Sequence, residues 1–350
     1  MRQTEGRVLI KTGIHNYHEV YNKNNNVFDP SFYQIGDDLG YPIILLRDTL
    51  LLNSVEINTL DICSAENCKK IIFLDMPRFS NQYLKHLVDL GIELYLVVLE
   101  SKLHRKQNWN MVKHKFFKKI FTWDSSFVDN KKYIKLNYAF RIPSSFKVSL
   151  NNKNKNCCLI SCNKSSSDHR ELYSERVKAI RWFEKNRYDD FDLYGMGWDK
   201  FLFKGPLISK FNRFSWLRKS LAFLVRYPSY RGVVAEKRKV LSSYKFSICY
   251  ENAENIPGYI TEKIFDCFFA GTVPIYLGAP DIAEHIPAEC FVDKRKYPTY
   301  EELYAYLSNM PDEEYLAYIK AIEDFINGDK VKPFSAEYFA ETITKEVLAT

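Results

Sequence analysis

The sequence predicts an α/β protein built from two Rossmann-like domains that face each other across a cleft. The main observation is the stretch Tyr244–Pro280, which reads as buried strand, polar loop, apolar helix and second buried strand, the βαβ unit of a parallel sheet. Strands and helices also alternate over residues 1 to 145. Between the two regions lies the polar run 149–156, SLNNKNKN, which contains too little apolar area to fold and predicts a linker.

The first domain is predicted over residues 1–148. Short runs of β-branched and apolar residues indicate its strands, and apolar residues at helical spacing indicate its helices. The predicted strands are Arg7–Lys11, Lys70–Leu74 and Ile92–Leu99, and the predicted helices are Pro42–Leu52 and Asn81–Leu90.

The second domain is predicted over residues 157–330, and we expect a helix in 331–350 to pack back on the first domain. The same patterns indicate its elements. The predicted strands are Cys157–Ser161, Phe191–Tyr194, Lys245–Tyr250 and Val273–Leu277, and the helices are Glu171–Lys185, Glu262–Ala270, Glu301–Tyr306 and Asp312–Ile326. The helix expected in 331–350 is Ala336–Leu348.

The helix of the central βαβ unit begins at a position suited to an anion. Thr261 is placed to cap it, and Lys263 adds a positive charge in its first turn. Ligands of parallel sheets bind beyond the carboxyl ends of the strands, where the N–H groups of a helix start favour negative charge. Ordinary capping chemistry explains a Thr-Glu-Lys start equally well, so spacing alone leaves both interpretations open.

The composition indicates which kinds of molecule the protein binds. A net charge of +7 and a pI near 8.8 favour anionic partners, and the absence of a recognisable nucleic-acid module argues against DNA or RNA. The apolar runs are shorter than the roughly 20 residues that span a bilayer, and the first residues lack the apolar segment of a signal peptide. We therefore expect a cytoplasmic protein, soluble or peripheral on the inner face of the cytoplasmic membrane.

Three motifs in the second domain carry a family resemblance. They are Tyr-Glu-Asn at 250–252, Tyr-Ile-Thr-Glu-Lys at 259–263 and Val-Pro-Ile-Tyr at 273–276. The stretch resembles the donor-binding signature of the bacterial type of α-1,3/1,4-fucosyltransferases, glycosyltransferase family 10. Glu-Ser at 100–101 and Phe-Thr-Trp at 121–123 extend the resemblance into the first domain. The resemblance implies the GT-B fold and GDP-fucose as donor.

The resemblance also implies the residues that bind the donor. It assigns Lys263 to the diphosphate, Glu262 to the ribose hydroxyls, and Asn252 and Tyr259 to the donor pocket. An arginine on the helix ahead of the central unit neutralises the diphosphate in the family, and Arg176 is the matching residue here. A guanidinium suits this task because it forks onto phosphate oxygens.

The sequence offers two alternatives to this donor site. Arg181, on the same predicted helix, is the second candidate for the diphosphate arginine. Asp190-Phe191-Asp192 has the spacing of a metal-binding Asp-x-Asp motif, but it stands at the entrance of its strand rather than after one, and acidic residues there are more often solvated turn residues. The eight cysteines and seven histidines show no paired spacing, so we predict no metal site and no required cofactor.

Glu100 is the predicted catalytic base. It follows the strand Ile92–Leu99, at the carboxyl end where such domains place ligands, although a carboxylate there also fits a loop cap. The Glu-Ser resemblance favours the base, which would accept the proton of the attacking hydroxyl. Asp75 and Glu93 are the next candidates.

The segment 204–239 contains ten Lys or Arg residues and one acid, Glu236, with aromatic residues interleaved. A basic helix over Trp216–Arg226 could lie on an anionic membrane. A solvated surface helix of the donor domain is an equal alternative.

Together with the candidate residues, the resemblance implies an inverting, metal-independent transfer of L-fucose from GDP-fucose. The expected acceptor is a hydroxyl, O3 of GlcNAc or Glc, on an oligosaccharide or glycolipid such as the lipopolysaccharide O-antigen. The rivals are a transferase of the same fold that uses another nucleotide sugar, and a non-catalytic glycan- or nucleotide-binding protein.

Overall fold

The computed structural model describes residues 9–33, 38–151, 153–205 and 208–349. The chain divides into two compact units: unit 1 comprises Met1–Ile142 and Lys332–Thr350, and unit 2 comprises Pro143–Val331. The division therefore falls before the predicted linker 149–156. Lys155 and Asn156 of that run belong to a strand, because backbone pairing to a neighbouring strand tolerates polar side chains at a strand start.

Unit 1 is built on a parallel sheet of six strands. These are β1 (Ile10–Asn16), β2 (Val55–Thr59), β3 (Lys70–Leu74), β4 (Glu93–Val98), β5 (Lys119–Thr122) and β6 (Tyr133–Lys135), in the order β2-β1-β3-β4-β5-β6. The helices between them are α1 (Tyr41–Leu52), α2 (Asn81–Asp89) and the single turn α3 (Met111–His114).

Unit 2 carries a parallel sheet of five strands. These are β7 (Lys155–Ile160), β8 (Phe191–Tyr194), β9 (Tyr244–Tyr250), β10 (Val273–Leu277) and β11 (Val292–Asp293), in the order β11-β10-β9-β7-β8. Its helices are α4 (Tyr173–Asn186), α5 (Ser215–Ser220), α6 (Lys237–Leu241), α7 (Glu262–Phe269), α8 (Ile282–His285), α9 (Tyr300–Ser308) and α10 (Asp312–Asn327). The last helix, α11 (Ala336–Leu348), belongs to unit 1.

The two faces of the unit 1 sheet have separate cores. Successive residues of a strand point to opposite faces, so Ile72 and Leu74 of β3 pack in one cluster while Ile71 and Phe73 pack in the other. The first cluster is covered by α1 and α11, and the second by α2. Strands buried on both faces explain the nearly continuous apolar runs of the sequence.

Each sheet has one point at which the strand order reverses. In unit 1 the reversal lies between β1 and β3, and in unit 2 it lies between β7 and β9. The connections on the two sides of such a point leave in opposite directions, which opens a crevice at the carboxyl ends of the two strands. The candidate ligand sites of the two sheets therefore lie after β1 and β3 and after β7 and β9.

Several predicted elements are confirmed with their bounds, including Lys70–Leu74, Phe191–Tyr194, Val273–Leu277 and Ala336–Leu348. The first strand was predicted too early, at Arg7–Lys11. Arg7 and Val8 lie outside the described residues, and β1 continues to Asn16 because its last five residues are the buried ones. The prediction missed β2, β5, β6 and β11. The last three have two to four residues, and β2 alternates apolar and polar residues instead of forming an apolar run.

The predicted basic helix Trp216–Arg226 was too long. The structure has a helix of six residues, α5, followed by a 3-10 turn at Ala222–Leu224. No helix in the described part of the chain is both long and apolar enough to cross a bilayer.

Candidate functional site

A buried carboxylate organises the carboxyl edge of the unit 2 sheet. Glu251 directly follows β9 and is 0% exposed. Its Oε1 accepts a hydrogen bond from the backbone N–H of Thr261 at 2.8 Å, and its Oε2 accepts one from Thr261 Oγ1 at 2.7 Å. Lys263 Nζ donates to the same Oε2 at 3.1 Å. Glu251 therefore joins the end of β9 to the start of α7.

Lys263 lies between two carboxylates. Its Nζ contacts Glu251 Oε2 and is 3.7 Å from Glu262 Oε1. Burial acts to lower the pKa of Lys263, but the charges of Glu251 and Glu262 outweigh it and leave that pKa above its usual value. Burial acts in the opposite sense on Glu262, where Lys263 and Lys237 outweigh it and lower the pKa to about 2. Both side chains are charged at neutral pH.

Arg176 holds the loop that follows β9. It projects from α4 and is only 3% exposed, and burial lowers its pKa. Its NH2 group donates to the backbone oxygens of Tyr250 and Glu251 at 2.7 and 2.8 Å and to Asn252 Oδ1 at 3.0 Å. Asn252 in turn donates from Nδ2 to the hydroxyl of Tyr259 at 3.3 Å. The guanidinium thus fixes the orientation of the Asn252 amide.

A small cavity lies at the switch point of unit 2, between the ends of β7 and β9. Its volume is about 30 Å³, and three cations line it: Arg176, Lys237 and Lys263. Lys237 Nζ is 2.9 Å from Asp266 Oδ2, an acid of α7. A cavity of this size has room for little more than one water molecule, so a nucleotide could bind only above it, at the carboxyl edge.

This edge of unit 2 has the chemistry of a nucleoside diphosphate site. The start of α7 offers backbone N–H groups, and the cations supply the charge that a diphosphate requires. An ionised Glu262 carboxylate accepts hydrogen bonds only, which matches the two donors of a vicinal diol. Asn252 and Tyr259 add neutral donors and acceptors.

Glu100 lies at the carboxyl edge of the other sheet, in unit 1. It follows β4 by one residue, its side chain is 34% exposed, and Oε2 is 3.5 Å from Nδ1 of His104. Tyr17 directly follows β1 at the same edge of the sheet. Burial raises the pKa of the Tyr17 hydroxyl, and the negative charges of Glu100 and Asp75 raise it further. Arg105 is buried and covers the ring of Tyr17 at 4.5 Å.

The structure brings the five predicted donor residues into one cluster, with Glu251 at its centre. Sequence reasoning missed Glu251 and Lys237 as members of it. Glu251 could have been found from its position inside the Tyr-Glu-Asn motif, directly after a buried strand. Lys237 carries no such signal, because nothing in the sequence distinguishes it from the other nine Lys and Arg residues of the basic segment 204–239.

The second-choice residues lie elsewhere. Arg181 is at the surface, where it donates to Glu184 and to the backbone oxygen of Arg226. Asp192 is held by Lys155 and Arg231, at 2.9 and 2.6 Å. The carboxylate that an Asp-x-Asp metal site would need is therefore already ion-paired with two basic side chains.

Glu93, the last alternative base, begins β4 and so lies at the amino edge of its sheet, opposite Glu100. It pairs with Lys118 and Lys70 at 2.5 and 3.0 Å. Burial acts to raise its pKa, but these hydrogen bonds lower it to about 2, which disfavours proton acceptance. Over residues 9–33, 38–151, 153–205 and 208–349, no three His, Cys, Asp or Glu side chains are grouped to hold a metal ion.

The basic segment 204–239 presents apolar side chains to solvent. Trp216 is 67% exposed and Phe223 is 79% exposed. Leu224 and Val233 are also exposed, and Lys219 and Arg226 beside them are exposed cations. The segment therefore combines anchors of the interfacial type with positive charge.

Comparison with known proteins shows what this chain is similar to. Residues 226–334 match Glycosyltransferase family 10 (fucosyltransferase) C-term. An Alpha-(1,3)-fucosyltransferase FucT of Helicobacter pylori is 39% identical over 74 residues, 21% of this chain and 15% of that protein. A 4-galactosyl-N-acetylglucosaminide 3-alpha-L-fucosyltransferase 9 of Cricetulus griseus is 30% identical over 126 residues, 34% of this chain and 35% of that protein. The matches thus span a minor part of these relatives' lengths.

The fold extends the likeness to the whole chain. The crystal structure of an alpha1,3-fucosyltransferase with GDP-fucose superimposes with a TM-score of 0.56 at 12% identity, covering 100% of this chain and 93% of that one. At this identity the likeness shows the fold alone, which is GT-B, with two parallel-sheet α/β domains. Four of the five predicted donor residues, all but Arg176, lie within the matched segment.

Proposed function

The chain belongs to glycosyltransferase family 10, and from this premise we propose that it transfers L-fucose from GDP-fucose to a glycan hydroxyl, with inversion at the anomeric carbon. The observation that carries the proposal is the cluster of Lys263, Glu262, Asn252, Tyr259 and Arg176 around Glu251, at the switch point of unit 2. Its charges suit a nucleoside diphosphate.

Unit 2 would hold the donor. Lys263 would contact the diphosphate and stabilise the charge that develops there as the bond to the sugar breaks. Glu262 would accept hydrogen bonds from the two ribose hydroxyls. Arg176 would act on the donor mainly by fixing Asn252, since its NH2 group already donates to three acceptors of the loop.

Unit 1 would supply the base. As the acceptor oxygen forms its bond to the anomeric carbon, the bond from that carbon to the diphosphate oxygen breaks and GDP leaves. The proton of the attacking hydroxyl passes to the carboxylate of Glu100. The partly exposed position of Glu100 after β4 suits a group that must meet an acceptor from solution.

The proposed acceptor is O3 of GlcNAc or Glc in a surface glycan such as a lipopolysaccharide O-antigen, modified in the cytoplasm. The names of the relatives, an Alpha-(1,3)-fucosyltransferase and a 4-galactosyl-N-acetylglucosaminide 3-alpha-L-fucosyltransferase, support the linkage.

A panel of donors tests the reaction. The protein is incubated with GDP-fucose, GDP-mannose, UDP-glucose or UDP-galactose and with N-acetyllactosamine or lactose, with and without a metal chelator. Nucleotide release and product mass are measured. We expect release with GDP-fucose only, at the same rate with chelator, because Lys263 supplies the charge that a metal would provide.

Each other outcome of the panel overturns a stated part of the proposal. Release with a different donor overturns GDP-fucose and keeps the transferase, because the diphosphate contacts do not read the sugar. Loss of activity with chelator overturns the metal-free mechanism. No release with any donor, together with retained GDP binding, overturns the transferase and favours a binding protein.

The proposal includes peripheral contact of the segment 204–239 with an anionic membrane, which would bring the protein to a lipid-linked acceptor. The exposed rings of Trp216 and Phe223 would enter the headgroup region, and the surrounding cations would each add about 1 kcal/mol on an anionic surface. Both terms act only if the segment meets the bilayer directly.

Liposome sedimentation tests this contact. We expect binding to vesicles with anionic lipid at low salt, release at high salt, and loss of binding in the double variant Trp216→Ser with Phe223→Ser. Leu52→Ser is the matched control, because Leu52 is 81% exposed on α1 of unit 1. Equal binding of the double variant and the control would show that the segment 204–239 does not contact the membrane and is a solvated surface of unit 2.

A further inference from the structure

The backbone directly after β3 is unusual. Asp75 is 0% exposed, and its φ of +63° lies in the left-handed region that non-glycine residues rarely adopt. An aspartate is tolerated there better than most residues because its short side chain can bond nearby backbone. Burying a carboxylate is unfavourable unless hydrogen bonds satisfy it, so its contacts show what the residue is for.

Those contacts converge on the loop that carries Glu100. Oδ1 of Asp75 accepts hydrogen bonds from the backbone N–H of Leu99 at 2.7 Å and from that of Glu100 at 3.0 Å. It also accepts one from Nδ2 of Asn108 at 2.6 Å. The register of β3 and β4 ends with the pair Leu74 and Val97, so the sheet itself holds neither Leu99 nor Glu100.

Asn108 holds the backbone carbonyl of Glu100. Its Nδ2 also donates to the backbone oxygen of Glu100 at 2.9 Å, and its Oδ1 accepts from the N–H of Met76 at 2.7 Å. The N–H and the C=O of Glu100 are thus both held, the first by Asp75 and the second by Asn108. Side chains that fix a residue's backbone on both sides fix where its Cα–Cβ bond points.

The geometry points to Asp75 as a positioning residue that, with Asn108, aims the Glu100 carboxylate for proton transfer. This inference rests on the proposed function, in which Glu100 is the base. Asp75 itself stays away from substrate, since it is fully buried. A carboxylate in this place is favoured over a hydroxyl or a thiol because one oxygen must accept three donors at once.

Variants at position 75 separate positioning from folding. Asp75→Ala removes the acceptor for both backbone N–H groups, and we expect kcat to fall on the order of 10²-fold, with KM for GDP-fucose unchanged because unit 2 binds the donor. Asp75→Asn keeps an oxygen at the Oδ1 position and should recover most of kcat. Hydrogen exchange of the Leu99 and Glu100 amides should quicken in the alanine variant only.

Asp129→Ala is the matched control. Asp129 Oδ1 also accepts three N–H groups, those of Lys131, Lys132 and Tyr133, each at 2.8 Å, but at an exposed turn far along the chain. Its loss should leave kcat unchanged.

The outcomes distinguish the two proposals. An inactive wild-type protein overturns the proposed function and with it the role of Glu100. An active wild type with a folded, fully active Asp75→Ala variant overturns the positioning role alone. A fall in kcat that is equally large in Asp129→Ala also overturns it, since general destabilisation then explains both.

Discussion

Unit 1 and unit 2 each bury one acid directly after a strand that borders the switch point, and they satisfy it differently. Asp75 follows β3, and its Oδ1 accepts from two backbone N–H groups and one amide. Glu251 follows β9 and contacts the ammonium group of Lys263 as well as Thr261. In the described part of the chain, no donor reaches Oδ2 of Asp75.

The positions of Asp75 and Glu251 are equivalent in the two sheets, but the two carboxylates have different electrostatic surroundings. Burial raises the pKa of Asp75 to about 6, against the opposing effect of its hydrogen bonds and of Arg105. Glu251 has a cation in contact, which suits a rigid cradle for an anion. Unit 1, with the predicted base, thus holds its buried acid with hydrogen-bonding dipoles. Unit 2, with the predicted donor residues, adds a contacting positive charge to such hydrogen bonds.

The largest expected effect comes from removing the cation of unit 2. Lys263→Met leaves the Glu251 carboxylate buried without its contacting charge, which should lower the free energy of unfolding by about 3–5 kcal/mol. The double variant Lys263→Met with Glu251→Gln removes both charges and should recover most of that stability. Urea denaturation measures both.

Transfer activity separates the two roles of Lys263. The double variant should remain inactive, because the diphosphate loses its contact, worth about 2–4 kcal/mol in the transition state. An active double variant would show that Lys263 serves the fold alone. A single variant as stable as the wild type would remove the contrast between the two buried acids.

The second effect falls on Glu100, the predicted base of unit 1. Glu100→Gln keeps the size of the side chain but cannot accept a proton, so kcat should fall by about 10²–10⁴-fold while GDP binding is unchanged. Glu93→Gln is the control at the opposite edge of the same sheet and should retain activity. Turnover of Glu100→Gln near the wild-type rate would make Glu100 structural.

The smallest effect is a pH dependence of stability. Because the pKa of Asp75 is raised from 3.8 to about 6, the folded state binds its proton more tightly than the unfolded state. The free energy of unfolding should therefore fall as pH rises from about 4 to about 6, by roughly 2 kcal/mol out of a total of roughly 3 kcal/mol for the whole titration, and this contribution should become constant above about pH 7.

Asp75→Asn removes that titration. The stability of the variant relative to the wild type should rise between pH 4 and pH 6, while carboxylates with lowered pKa, such as Glu93 and Glu262, contribute equally to both proteins. Urea denaturation at several pH values measures the difference. A difference independent of pH would mean that Asp75 does not titrate in this range.

The sequence alone determined the class of fold and most long elements. Apolar runs such as Lys70–Leu74 and Val273–Leu277 are buried on both faces, so their composition carries the signal by itself. The same holds for the donor motifs, because the loop and the helix start that carry Asn252 and Lys263 are continuous in the chain. The strands β2 and β6 lack such an apolar run, because β2 alternates apolar and polar residues over Val55–Thr59 and β6 has only three residues.

Only the tertiary structure decided what the buried acids do. Glu251 and Arg176 are 75 residues apart in sequence, and Asp75 and Glu100 are 25 apart, so their contacts exist only once the sheets form. From the sequence, Asp75 is an alternative to Glu100 as the base. In the structure its carboxylate accepts hydrogen bonds from the backbone N–H groups of Leu99 and Glu100, which favours the proposed positioning role instead. Spacing reports residues on one element, but hydrogen bonds between strand ends depend on strand order, which no local pattern encodes.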